Sequence, residues 1–183
     1  MQLDKIPPGE NPPYDINVVI EIPGGPAGGA PVKYEIDKDS GALFVDRIVN
    51  VPMFYPNNYG FVPNTLHEDG DPVDVMVRTE VTLIAGSVIR CRLIGVLHME
   101  DDGGLDDKLI AMPLEKIDPF QAEIQDLQDL PTRHRERIWH FFENYKALEQ
   151  GKWAKVTGWG DKADAQRILV EAIERYNKKS SAA

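Results

Sequence analysis

The segment Asp69-Gly70-Asp71-Pro72-Val73-Asp74-Val75 sets three carboxylates within six residues. Gly70 permits a tight turn, and Pro72 fixes the chain as it leaves. Asp71 precedes that proline and is therefore expected to be extended rather than helical. A turn running into a strand aims Asp69, Asp71 and Asp74 into one small volume. Like charges gathered there cost free energy unless cations offset them, so a divalent metal is the natural occupant. An EF-hand calcium loop does not fit. Its glycine falls later, it ends on a twelfth-position Glu and it lies between helices, whereas here Gly70 is second and Pro72 fourth. The plain alternative is a solvated acidic turn.

Asp101-Asp102-Gly103-Gly104-Leu105-Asp106-Asp107-Lys108 is a second acidic turn. On its own it also suits a solvated hairpin. Two such turns converging on one site favour hard cations such as Mg²⁺ or Mn²⁺, because oxygen is the ligand both supply. The histidines at 67, 98, 134 and 140 show no zinc spacing, and no Ser/His/Asp or Cys/His nucleophile set is evident. Cations and phenols gather as well. Lys33 shares a strand face with Glu35, Arg47 follows Asp46, Tyr55 and Tyr59 flank Pro56-Asn57-Asn58, and Tyr145 adjoins Lys146. Taken singly, each of these also suits solvated surface or core.

These groups must be positioned by short strands and a few helices. Strands are expected over 17–22, 32–37, 42–49, 58–62, 72–77, 87–99 and 108–113, from β-branched runs or alternation bounded by Gly, Pro and Asp. Gly24 to Ala30 (GGPAGGA) suits a hairpin loop; a phosphate-cradling glycine loop would need a helix directly after it, and a strand follows. A helix is expected over 131–150, with Pro131 in its first turn, Gly151 as its cap and a stripe of Ile138, Phe141, Phe142, Tyr145 and Leu148. A short strand near Trp153–Val156 precedes a second amphipathic helix over 164–178. Strands followed by helices predict an α+β, mainly β fold with a small barrel or strongly curled sheet as its hub.

Twenty Lys and Arg against thirty Asp and Glu leave a net charge of −10, which disfavours non-specific binding to nucleic acid or an anionic membrane. A phosphate site then needs locally gathered cations, bound metal or both. With 42% hydrophobic residues the chain can bury a core, and its length suits a single domain over 1–183. Cys91 is the sole cysteine, which excludes an intrachain disulfide and fits a reducing compartment. No apolar run reaches a membrane span, and residues 1–10 carry Asp4, Pro7, Pro8 and Glu10, so a soluble cytoplasmic protein is expected. Three functions stay open on these grounds: a metal-dependent phosphoanhydride hydrolase, a phosphatase of broader range, and a barrel that binds nucleic acid or a phospho-ligand without turnover. The last needs a basic groove with stacking aromatics, whereas at least six carboxylates share the candidate face.

DGDPVDV resembles the signature of the family I soluble inorganic pyrophosphatases, D-[SGDN]-D-[PE]-hydrophobic-D-hydrophobic, at all seven positions. VVIEIP, KYEIDKDSGALFVDR, MFYPNNYGF, GSVIRCR and HFFENYKALEQGKW follow the same family in order, from about residue 8 to 178, and the likeness is greatest to the shorter bacterial type. The resemblance implies a five-stranded OB-like barrel with the C-terminal helices packed outside. It also implies hydrolysis of pyrophosphate to two orthophosphates in the cytoplasm, several Mg²⁺ ions (Mn²⁺ substituting, Ca²⁺ inhibiting), and a homo-hexamer. Carried over by motif, Asp69, Asp74, Asp101 and Asp106 hold metal and Asp71 is the base beside the attacking water. Lys33, Arg47, Tyr59, Lys108, Tyr145 and Lys146 bind phosphate, and Glu21, Glu35, Tyr55 and Asp102 complete the polar lining. Two departures stand out: Asp102 replaces an expected Glu, and Asn144 a frequent His, beside His140 at a subunit contact.

Overall fold

The computed structural model describes residues 1–25 and 32–181; most of the glycine-rich segment read as a hairpin loop lies outside the described residues. Nine strands and two α-helices follow in order: β1 (Ile16–Ile22), β2 (Val32–Ile36), β3 (Leu43–Ile48), β4 (Asn58–Phe61), β5 (Asp74–Val77), β6 (Val88–Asp101), β7 (Gly104–Leu105), β8 (Lys108–Pro113), α1 (Thr132–Asn144), β9 (Ala154–Gly160) and α2 (Lys162–Ser181). Strands β1, β4, β5, β8 and β6 form a ring that closes because β6 also pairs with β1. Every pairing in the ring is antiparallel except β5–β8, which is parallel. The fold is thus α+β and mostly strand, as expected, although the ring is not an even barrel. The β2–β3 hairpin forms a separate two-stranded sheet.

Alternation along the strands sorts side chains into two apolar clusters. Ile16, Val18 and Ile20 of β1, Val75 and Val77 of β5, Cys91, Leu93 and Val96 of β6, and Leu109 and Ala111 of β8 meet inside the ring, where Ala165, Ile168, Leu169 and Ala172 of α2 pack against them. On the outer face, Met76, Ile94, Leu97, Met99, Ile110 and Met112 meet Ile138, Phe141 and Phe142 of α1. Each such side chain contributes roughly 1.5–3 kcal/mol on burial. Gly60 is obligatory for closure, since a Cβ there would lie 1.8 Å from the Val19 carbonyl oxygen of the neighbouring strand.

Two sequence expectations need correction. The first helix ends at Asn144, not at residue 150, and a run of tight turns follows through Gly151. There Ala147 N–H donates to Asn144, Glu149 N–H to Lys146 and Lys152 N–H to Glu149. Leu148, placed on the apolar stripe by spacing, is 64% exposed because the helix no longer carries it. The strand before α2 runs to Gly160 because its whole length pairs with the second half of β6. Arg90 and Arg92, on the second face of β6, act structurally: Arg90 bonds Asp15 and Glu10, and Arg92 bonds the carbonyls of Ile124 and Gln121.

Candidate active site

The first acidic turn is anchored by its own backbone. His67 N–H donates to the Asp71 carbonyl at 2.7 Å, and Asp71 N–H donates to Asp69 Oδ1 at 2.9 Å. Gly70 takes a φ of 97°, a conformation a Cβ would strain. Thr65 braces the exit, with Val73 N–H donating to its hydroxyl at 3.0 Å. Asp71 therefore sits exposed at the tip, and Asp74 opens β5. The alternation that buries Val75 and Val77 inside the ring turns Asp74 outward.

Asp74 lies in register with Lys108 of β8. Lys108 Nζ donates to Asp74 Oδ2 at 2.6 Å and also to Asp106 Oδ1, so one ammonium links the two acidic turns. The Tyr59 hydroxyl donates to the same Asp74 oxygen. Lys108 is 2% exposed. Burial opposes its charge, but Asp74 and Asp106 outweigh burial and hold its pKa above that of an ordinary lysine. Burial pushes Asp106 up to about 6 despite Lys108, and Asp74 adds to the rise. Burial likewise raises Asp69.

Asp101 and Asp102 follow at the end of β6. Lys146 Nζ donates to Asp101 Oδ2 at 2.6 Å and to Asp102 Oδ1 at 2.9 Å, and Lys152 takes the other Asp102 oxygen. The two lysines hold the Asp102 carboxyl well below the usual carboxylate range, Lys152 most strongly. For Asp101, burial opposes ionisation, but the Lys146 hydrogen bond prevails and its pKa is lowered. Asp102, shorter than the expected Glu, still reaches two cations.

On the opposite wall, Lys33 pairs with Asp46 at 3.0 Å and with Glu35 at 3.9 Å, and Arg47 Nη1 pairs with Glu149 at 3.4 Å. Glu21 is buried; its Oε1 accepts from Ile36 N–H at 2.7 Å and from Lys38 at 3.2 Å, and burial raises its pKa. At the floor Tyr55 packs on Tyr59 with ring centroids 5.0 Å apart, and Phe141 stacks on Tyr145. Burial raises all three phenols, so they remain protonated donors near neutral pH.

All fifteen site residues expected from the sequence line one cavity of about 330 Å³. Tyr145 and Lys146 reach it from the turn after α1 rather than from the helix. The sequence reading missed Lys38 and Lys152, which also line the cavity, and Glu149, which pairs with Arg47. Lys152 falls within the matched run HFFENYKALEQGKW, yet no periodicity marks it. Eight carboxylates (Glu21, Glu35, Asp69, Asp71, Asp74, Asp101, Asp102, Asp106) here face six cations (Lys33, Lys38, Arg47, Lys108, Lys146, Lys152). Such a lining repels a polyanion unless further cations join it. Among the described residues no three carboxylate, imidazole or thiol groups already stand as a closed metal cage. The donor set nevertheless fits a hard cation: it is all oxygen, and the Lys108 ammonium already bridges Asp74 and Asp106 where positive charge is wanted.

A five-stranded ring with a cleft of paired carboxylates and lysines on its outer face suits a protein that handles small phosphorylated anions with the help of cations. Comparison with known proteins narrows the class. The family model for inorganic pyrophosphatase matches residues 18–177. The inorganic pyrophosphatase of Xanthomonas campestris is 56% identical over 177 residues, covering 97% of this chain and 98% of its own, and that of Caulobacter vibrioides is 52% identical over 178 residues, covering 97% and 99%. Among solved structures, the inorganic pyrophosphatase of Thermus thermophilus superposes with a TM-score of 0.90 at 43% identity, covering 97% of this chain and 99% of its own. That of Helicobacter pylori gives 0.86 at 50% identity, covering 90% and 94%. The chain belongs to the inorganic pyrophosphatase family and is a hydrolase, and the OB-like character expected of its ring agrees with these neighbours. No helix among the described residues is long and apolar enough to cross a membrane.

Proposed function

We propose that this protein hydrolyses inorganic pyrophosphate to two orthophosphates by direct attack of water, with Mg²⁺ as its cofactor. The observation that carries this is the convergence of both acidic turns, the lysines and Arg47 on one small cavity. Asp69, Asp74, Asp101 and Asp106 would hold the metal ions. When bound, the metal supplies positive charge against the phosphate oxygens and acidifies water. Asp71, exposed at the tip of its turn and paired with no lysine among the described residues, takes a proton from the attacking water. Lys33, Arg47 and Lys146 bind the phosphate groups and offset charge that builds on the leaving phosphate. Lys108, held charged by two carboxylates, keeps both acidic turns in register and adds to that field. Tyr59 and Tyr145 stay protonated and orient oxygen atoms, while Glu21, Glu35, Tyr55 and Asp102 hold the first set in place. No covalent intermediate is needed.

Mn²⁺ substitutes for Mg²⁺, whereas Ca²⁺, larger and looser in geometry, binds and inhibits. The chain acts as one domain, as its length suits, and works in the cytoplasm; its assembly as a homo-hexamer rests on resemblance. Phosphate release from pyrophosphate with Mg²⁺, with Ca²⁺ and with EDTA tests the proposal. Release is expected with Mg²⁺ alone; equal release in EDTA, or robust release with Ca²⁺, overturns the metal assignment.

A further inference from the structure

The cation-bearing wall is held over the cleft in an unusual way. Strands β2 and β3 hydrogen-bond to each other and not to the ring. Ile36, at the end of β2, is buried and anchors one end, where the Glu21 carboxylate accepts its N–H. Arg47 lies at the far end of β3, a strand exposed at every other position. Its polar tie to the body among the described residues is Glu149 Oε2, 3.4 Å from Nη1. Glu149 is 11% exposed on its side chain, close to fully buried for a carboxylate. It comes from the turns after α1, the same turns that bring Lys146 and Lys152 to Asp102.

The pair is incompletely made. Arg47 Nε and Glu149 Oε1 are both buried with no hydrogen-bond partner among the described residues. Arg47 as a whole is only partly buried, but these two unmet atoms call for an explanation. Nε is closed off, so the Nη end of the planar guanidinium is what is left to meet a phosphate oxygen, and an Arg with unrestrained rotation would lose that aim.

We infer that Glu149 is the positioning residue for Arg47: it fixes the guanidinium over the phosphate-binding side of the cleft. The inference rests on Arg47 binding phosphate, as proposed above. Glu149 touches neither substrate nor the attacking water; it acts through Arg47.

A double-mutant cycle tests this with Glu149→Gln, Arg47→Lys and the two combined, reading KM, kcat and melting temperature on pyrophosphate. Loss of a charge-assisted contact is expected to raise KM about tenfold in Glu149→Gln, with kcat changed less than about threefold. In the Arg47→Lys background the same substitution should add less than about twofold, because the group it orients is already altered. Glu149→Asp, which keeps the charge on a shorter arm, should recover part of the loss; it carries the same comparison if Glu149→Gln folds poorly. If Arg47→Lys raises KM and Glu149→Gln does not, or if the two effects multiply in full, the positioning role is overturned while the phosphate role of Arg47 stands. If Arg47→Lys leaves KM unchanged, the Arg47 assignment itself fails, and this inference with it.

Discussion

The two walls of the cleft are built differently. The ring wall sets Asp74 and Lys108 on paired strands, directly opposite each other, over a floor of fully buried Met76 and Ile110. The hairpin wall carries Lys33 and Arg47 on strands unpaired with the ring, with Phe44 and Val45 more than half exposed, and relies on side-chain ties to the body such as Lys38–Glu21 and Arg47–Glu149. Rigid sheet is suited to carboxylates that must share cations, where small displacements are costly. A wall fastened by ion pairs suits cations that grip an incoming anion and release its products. The difference implies that substitutions on the ring wall strike stability and chemistry together, while those on the hairpin wall strike binding.

Lys108→Met is the severest way to break that contrast. It leaves Asp74 and Asp106 facing each other without their shared ammonium, and removal of one partner from a buried pair costs about 3–5 kcal/mol. Denaturant unfolding in EDTA should show a loss of that size, and Mg²⁺ should restore part of it. A loss below about 1 kcal/mol would mean that the ring wall does not depend on this cation.

Asp71→Asn separates chemistry from scaffold within the same wall. Asp71 is exposed and makes its contacts through the backbone, so melting should hardly move. Turnover should fall about 100-fold or more, the usual worth of a general base. Activity within about threefold of the parent removes Asp71 from that role.

Away from both walls, His134 tests the acid side. Burial lowers its imidazole to about 4 from an ordinary 6.5, and Arg78 and Arg137 add to the fall. As pH falls below 6.5 the unfolded chain takes up a proton that the folded protein refuses. Stability from this group is therefore complete above pH 6.5 and is lost progressively towards pH 4. His134→Gln should flatten that part of the stability–pH curve measured by denaturant melts; an unchanged slope would mean that the imidazole is not held neutral. The smallest expected effect is at Cys91. It is fully buried inside the ring, and burial raises its thiol pKa well above that of a free cysteine. A thiol reagent should leave it unmodified in the native protein, and rapid stoichiometric labelling would show that the ring opens readily.

Much of the ring wall was legible in the residues. DGDPVDV declares a turn entering a strand, and period-two alternation sends Asp74 one way and Val75 the other. What no local pattern carries is the parallel pairing of β5 with β8, which joins the two acidic turns, because pairing partners are chosen by tertiary packing. The hairpin strands were legible too, but the turns after α1 that brace Arg47 were not, for a specific reason. The apolar spacing of Ile138, Phe141, Phe142, Tyr145 and Leu148 continues past the end of α1, so periodicity predicts a longer helix. The chain instead turns after Asn144 so that Tyr145 and Lys146 enter the cleft, and those turns deliver Glu149 and Lys152, whose placement helical spacing does not foretell.

The proposal stands or falls on hard cations seated between the two acidic turns. Anomalous diffraction from crystals grown with Mn²⁺ tests it most directly. Peaks within coordinating distance of Asp69, Asp74, Asp101 and Asp106 are the predicted result. Peaks absent from these four carboxylates, in crystals of protein that releases phosphate with Mn²⁺ in solution, would contradict it.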